Sequence, residues 1–92
     1  DDHELRRLVN EQARILDIAA NLVRDQGHLV YAVCSLLAAE GAQQIDSFLA
    51  RHNGWRAVNV CIQAGRADGA GRLLTPAHDG SDGFYLARLQ KL

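Results

Sequence analysis

The sequence predicts an α/β fold on three observations: a long segment with apolar residues at helical spacing, a short continuous apolar run after it, and a second helical segment beyond that. In the first segment Leu5, Leu8, Val9, Gln12, Ile15, Leu16, Ala19, Leu22 and Val23 fall along one face, predicting an amphipathic helix from about Glu4 to Arg24. Asp1 and Asp2 suit its positive end. Asp25-Gln26-Gly27 supplies the stop, with Gly27 free to adopt the left-handed conformation. The run Val30-Tyr31-Ala32-Val33-Cys34-Ser35 reads as a strand beginning at Leu29 and covered on both faces, as inside a parallel sheet flanked by helices. A second helix follows from about Glu40 to Arg51, its core face made by Ile45, Phe48 and Leu49. Helix, strand, helix is the rhythm of a doubly wound sheet.

Past Asn53-Gly54 the pattern alternates, with Val58, Val60 and Ile62 on one face and Asn59 and Cys61 on the other, which predicts a strand. Gly65 to Gly71 offers no apolar content to bury and reads as a mobile loop between the last two strands. Leu73-Leu74-Thr75-Pro76 is expected to pack back before a turn at Asp79-Gly80, and Phe84 to Leu89 forms the closing strand.

Composition sets the bounds. The chain has 92 residues, no Met and an Asp-Asp start, so it is expected to be an excised segment forming a single partial domain over residues 1–92. Nothing in it is long and apolar enough to span a membrane, and no charged leader with an apolar core appears, so the expected location is cytoplasmic. Two cysteines in that compartment are expected to be thiols; they form no Cys-x-x-Cys pair and no metal spacing. A net charge of −1 is uninformative about nucleic acid, while the absence of a basic stripe along the sequence weakens the case for RNA binding by this piece alone.

In open α/β sheets the chemistry lies just past the carboxyl ends of the strands, and Cys34 occupies that position. It can be read as a nucleophile, strong once ionised, or as a small buried hydrophobe. Cys61 lies mid-strand between apolar neighbours and reads as packing. The histidines His3, His28, His52 and His78 show no ligand spacing and read as surface or loop residues, so no metal is expected. The glycines from Gly65 to Gly71 lack the strand-to-helix context of a phosphate cradle.

Read in order, Gln12-Ala13-Arg14-Ile15-Leu16, Leu22-Val23-Arg24, Gly27 through Leu36, Gln43-Gln44-Ile45 with Phe48-Leu49, and Asp82 through Leu89 resemble the C-terminal part of the Sun-type (Fmu) RNA cytosine-5 methyltransferases. The resemblance spans nearly the whole chain apart from Ala64 to Gly71 and matches in spacing as well as residue type. It implies the C-terminal part of a Rossmann-like class I methyltransferase sheet, whose last strand runs antiparallel between its two predecessors. It also implies an S-adenosylmethionine-dependent enzyme acting on ribosomal RNA. Family members carry Thr-Cys-Ser where this chain has Val33-Cys34-Ser35, which makes Cys34 the catalytic residue attacking carbon 6 of the target cytosine. Ser35, Asp82, Gly83 and Phe84 fall next to the substrate by the same resemblance. A tight turn with Gly83 at positive φ is the competing reading of that last segment. Glu40 and Gln43 follow the nucleophile, either capping the second helix or touching substrate.

The chain also departs from the family. Val33 replaces the threonine beside the nucleophile, and Ala38, Gly41 and Ala42 stand where many relatives carry Pro, Asn and Glu. No Gly-rich loop after a first strand and no Pro-Cys segment with the family's second cysteine occurs, so cofactor-binding residues are not expected in this fragment, which should be inert alone. The alternatives are a non-catalytic homologue serving as an RNA- or protein-interaction module, and a methyltransferase for another substrate. Cutting such a sheet should leave an unpaired edge and wet apolar side chains such as Tyr31 or Val33, through which the fragment would self-associate.

Overall fold

The computed structural model describes residues 1–60, 62, 65–75 and 83–92. Its elements are α1 (Asp2–Leu22), β1 (His28–Val33), α2 (Ala42–Arg51), β2 (Trp55–Val58), β3 (Arg66–Asp68), β4 (Gly71–Leu74) and β5 (Phe84–Lys91). Helix α1 starts where Asp1 accepts a hydrogen bond from the Glu4 amide at 2.8 Å, satisfying one of the amides that a helix start leaves open. Arg7 pairs with Glu4, and Arg14 with Glu11, one turn apart on its outer surface. Val23 ends the helix in an extended conformation. Gln26, at φ 70°, takes the left-handed conformation expected of Gly27. Gly27 instead makes room: a β-carbon there would lie 2.8 Å from Val23 Cγ1 and 2.9 Å from the Arg24 carbonyl oxygen, so the chain needs the missing side chain for its close return.

Five strands form one sheet. The closing strand β5 is its centre: β1 pairs along one edge, and β2 and β4 pair along the other, all antiparallel to it, with β3 beyond β4. The expected antiparallel last strand between two predecessors is therefore present, with Tyr31 opposite Ala87 and Ala57 opposite Leu89. Beside β5, β1 alternates between exposed and partly buried residues instead of being covered on both faces. Among the described residues helices cover only one face: Leu16 and Ala20 of α1, Ile45 and Phe48 of α2, Trp55, and Tyr85, Ala87 and Leu89 of β5 form the buried core. Tyr31 and Val33 pack against that core, so the wet residues are their neighbours Val30, 59% exposed, and Ala32.

Two further expectations are corrected. The second strand lies earlier than the alternation predicts, at Trp55–Val58, because Trp55 is drawn into the core against Phe48 with ring centroids 5.5 Å apart. Gly65 to Gly71 is not a loop without structure: β3 and β4 pair through it as a hairpin, with Gly69 and Ala70 at the turn and Gly69 at φ 57°. A β-carbon at Gly71 would meet the Tyr85 hydroxyl oxygen at 2.6 Å and come closer still to the Leu86 carbonyl. Glycine there lets the hairpin lie against β5. The expected turn at residues 79–80 and the packing of Cys61 lie outside the described residues.

Asp17 joins the two helices at their far end, its Oδ1 2.9 Å from Arg51 Nη2 and 2.7 Å from His52 Nε2, while the His52 ring stacks on Phe48. The hydrogen bond with His52, then the one with Arg51, holds the Asp17 carboxyl below the usual carboxylate range. A lowered folded value means that the clamp contributes above the ordinary aspartate range and is lost as pH falls through the lowered value. Because Asp17 is half exposed and solvent-screened, Asp17→Asn is expected to lower stability at neutral pH by less than about 1 kcal/mol. That gap should close below about pH 4 in thermal melts compared across pH.

Candidate active site

Cys34 is the first residue past β1, and its side chain is exposed. The strand ends there because Ser35 leaves the ladder: its hydroxyl donates to Glu40 Oε2 at 3.0 Å and accepts from the Leu37 amide at 3.0 Å. The chain then turns at residues 38–40, with the amides of Glu40 and Gly41 donating to the Leu37 carbonyl at 3.0 and 3.2 Å, and enters α2. Cys34 thus stands at the mouth of a short loop closed on itself by its own hydrogen bonds.

Glu40 holds that loop from inside. The residue is 8% exposed, and besides Ser35 its carboxylate accepts from Gln12 Nε2 at 3.0 Å. Gln44, 2% exposed, donates to the Gln12 side-chain oxygen at 3.3 Å and to the Val9 carbonyl at 2.9 Å. The Tyr31 hydroxyl donates to the Glu40 carbonyl oxygen at 2.6 Å, and burial, reinforced by the Glu40 charge, pushes the phenol up to about 12. Tyr31 therefore stays protonated as a donor. Neither Glu40 nor Gln43 caps α2: its N-cap is Gly41, with no side-chain capping bond. Gln12 foretells this network in sequence as a polar residue on an otherwise apolar helix face, but its partner, 28 positions away, is visible only in the fold.

Among the remaining expected site residues, Gly83 is buried at φ 101°, and a β-carbon there would lie 2.8 Å from Leu36 Cγ. The start of β5 and the Cys34 loop therefore touch, with Gly83 in the left-handed conformation of the turn reading and Phe84 opposite Leu74. Asp82 lies outside the described residues. Of the histidines, His3 and His28 are exposed, His52 is engaged by Asp17, and His78 lies outside the described residues. Among the described residues no cluster of His, Cys, Asp and Glu could hold a metal ion, and no helix is long and apolar enough to cross a membrane. The glycine-rich segment closes the β3–β4 hairpin and does not lead from a strand into a helix.

The fold superposes on a methyltransferase homologue from Pyrococcus horikoshii with TM-score 0.88 at 21% identity, covering 100% of this chain and 33% of that one. NSun6 from Pyrococcus horikoshii, solved with SFG, gives TM-score 0.80 at 24% identity over 90% of this chain and 22% of its own. An α/β sheet of the methyltransferase type, with an exposed cysteine past a strand end, is thus the class defined. The chain belongs to the 16S rRNA methyltransferase RsmB/F family, which matches residues 1–90. It is 40% identical to ribosomal RNA small subunit methyltransferase B of Xylella fastidiosa (strain 9a5c), over 96% of this chain and 21% of the relative. It is 38% identical to the protein of the same name from Photorhabdus laumondii, over 98% of this chain and 20% of the relative. The chain spans about a fifth of the length of these relatives.

Proposed function

We propose that the full-length protein carrying this chain methylates a cytosine of small-subunit ribosomal RNA at carbon 5, with Cys34 as its covalent nucleophile. The observation that carries the reading is the exposed Cys34 thiol at the carboxyl end of β1, in a chain of the 16S rRNA methyltransferase RsmB/F family. The chemistry needs such a group. Carbon 5 of cytosine is a poor nucleophile, and thiolate addition at carbon 6 moves the ring electrons so that carbon 5 becomes enamine-like and can take a methyl group. Removal of the carbon-5 proton by a base then returns the electrons to the ring as the carbon–sulfur bond breaks, freeing the cysteine. One hard step becomes several easier ones.

S-adenosylmethionine is the methyl donor in this reading, bound by parts of the protein outside this span, in line with SFG, an S-adenosylmethionine analogue, in the archaeal NSun6 structure. A ribosomal RNA substrate puts the reaction in the cytoplasm. The isolated chain is inert on this reading, and it self-associates through the edge of β1 that is unpaired among the described residues. A second reading, a non-catalytic homologue acting as an RNA- or protein-interaction module, draws on Gly41. A β-carbon there would lie 3.0 Å from Tyr85 Cγ, so a side chain at this position would require the ring to shift by a few tenths of an ångström.

Methyl transfer to ribosomal RNA by the full-length protein separates the two. The enzyme reading expects 5-methylcytosine in RNA from the wild type and a loss of at least about 1,000-fold in Cys34→Ala, the scale of removing a nucleophile. Absence of transfer by the wild type supports the module, and transfer retained by Cys34→Ala overturns the role of the thiol.

A further inference from the structure

We propose that Glu40 is a positioning residue that fixes the loop presenting the Cys34 thiol, acting through Ser35. The proposal rests on the reading of Cys34 as nucleophile and names what holds it in place. Glu40 is 8% exposed, and its carboxylate accepts from Ser35 Oγ and Gln12 Nε2, both at 3.0 Å, which are neutral donors. Burying an ionised carboxylate is costly, and shape alone would be served as well by glutamine. A carboxylate differs in one respect: both of its oxygens accept, so it can take hydrogen bonds from α1 and from the residue after the nucleophile together. Glutamine would offer an amide in one of these places, where it would face the Gln12 amide or compete with the Ser35 hydroxyl proton.

The geometry gives this double acceptance a consequence for Cys34. The thiol is exposed, so packing does not fix it, and its direction depends on the backbone on either side. On one side β1 is anchored by its ladder with β5 and by the Tyr31 hydroxyl, which donates to the Glu40 carbonyl oxygen at 2.6 Å. On the other side Ser35 is held by Glu40 while its hydroxyl accepts from the Leu37 amide at 3.0 Å. Helix α1 enters through Gln12, itself bound by Gln44 at 3.3 Å, so the loop is referred to the rigid layer of helices. A displacement of the order of 1 Å at a reacting group is enough to lower its rate markedly. Glu40 has no need to touch the substrate to matter.

The test uses the full-length protein, with RNA carrying 5-fluorocytosine at the target for the rate of covalent trapping on Cys34 and unmodified RNA for kcat and KM, alongside the melting temperature. Glu40→Gln is expected to slow trapping and kcat at least 10-fold, with KM for RNA within about two-fold of wild type. Ser35→Ala, at a partly exposed loop position, should give a similar loss, and the double variant should lose little more than either alone, because the two act in series. Multiplicative losses in the double variant would overturn the proposal, as would wild-type trapping rates in Ser35→Ala and Glu40→Gln. So would a lowered melting temperature with kcat per folded molecule unchanged, since that is the signature of stability alone. The failure of the nucleophile assignment looks different: the wild type itself would form no adduct on Cys34.

Discussion

Phe48→Ala is expected to destabilise this chain by about 3–5 kcal/mol, the usual range for removing a fully buried phenylalanine. Phe48 is 0% exposed, stacks on His52 with centroids 4.3 Å apart and meets Trp55 edge-on at 5.5 Å. It therefore joins α2 to Trp55 at the start of β2 as well as filling the core, and its removal leaves a cavity in a closely packed interior. A domain of this size has about 5–15 kcal/mol in all, so the variant should be largely unfolded by mild urea. The control is Leu22→Ala, on a side chain 83% exposed, which should stay within about 0.5 kcal/mol of the parent. Urea titration followed by circular dichroism checks both. A loss under about 1 kcal/mol at Phe48 would contradict the packing described.

The second large effect is self-association of the isolated chain. Among the described residues β1 pairs with β5 alone, so its other edge presents open backbone donors and acceptors. Beside that edge Ile15, Ala19, Val30 and Ala32 line a groove between α1 and β1, with Ile15 55% and Val30 59% exposed. Each such side chain withdrawn from water is worth about 1.5–3 kcal/mol, and a two-fold arrangement buries every contact twice. Light scattering at high micromolar concentration should therefore report a dimer, and Val30→Lys should shift it toward monomer. A monodisperse monomer with strongly protected amides over residues 29–33 would mean that this edge is closed within the chain itself.

Much of this fold is legible in the sequence because its signals are local. Helical spacing from Leu5 to Val23 places α1, and the apolar run after Gly27 places β1 and puts Cys34 at its end. What escapes the sequence depends on partners far along the chain. The hairpin β3–β4 is largely polar and glycine-rich, and it joins the sheet through β4, where Leu73 lies opposite Tyr85 on β5. Trp55 begins β2 ahead of the alternating run because the core claims its ring. One-sided burial of β1 follows from which elements lie over the sheet, and its apolar run is the same for one covered face or two. The candidate site divides in the same way: the cysteine is visible as a residue, whereas Glu40, Ser35 and Gln12 become a unit only when α1 crosses the loop.

Whether Cys34 attacks the base is decided by covalent trapping. Fluorine at carbon 5 of the target cytosine blocks the proton removal that would release the thiol, so the adduct accumulates on the residue that formed it. Mass spectrometry of the full-length protein after reaction with 5-fluorocytosine RNA should locate the adduct on Cys34, and Cys34→Ala should form none. An adduct on Cys61, or undiminished trapping in Cys34→Ala, would show that another group is the nucleophile.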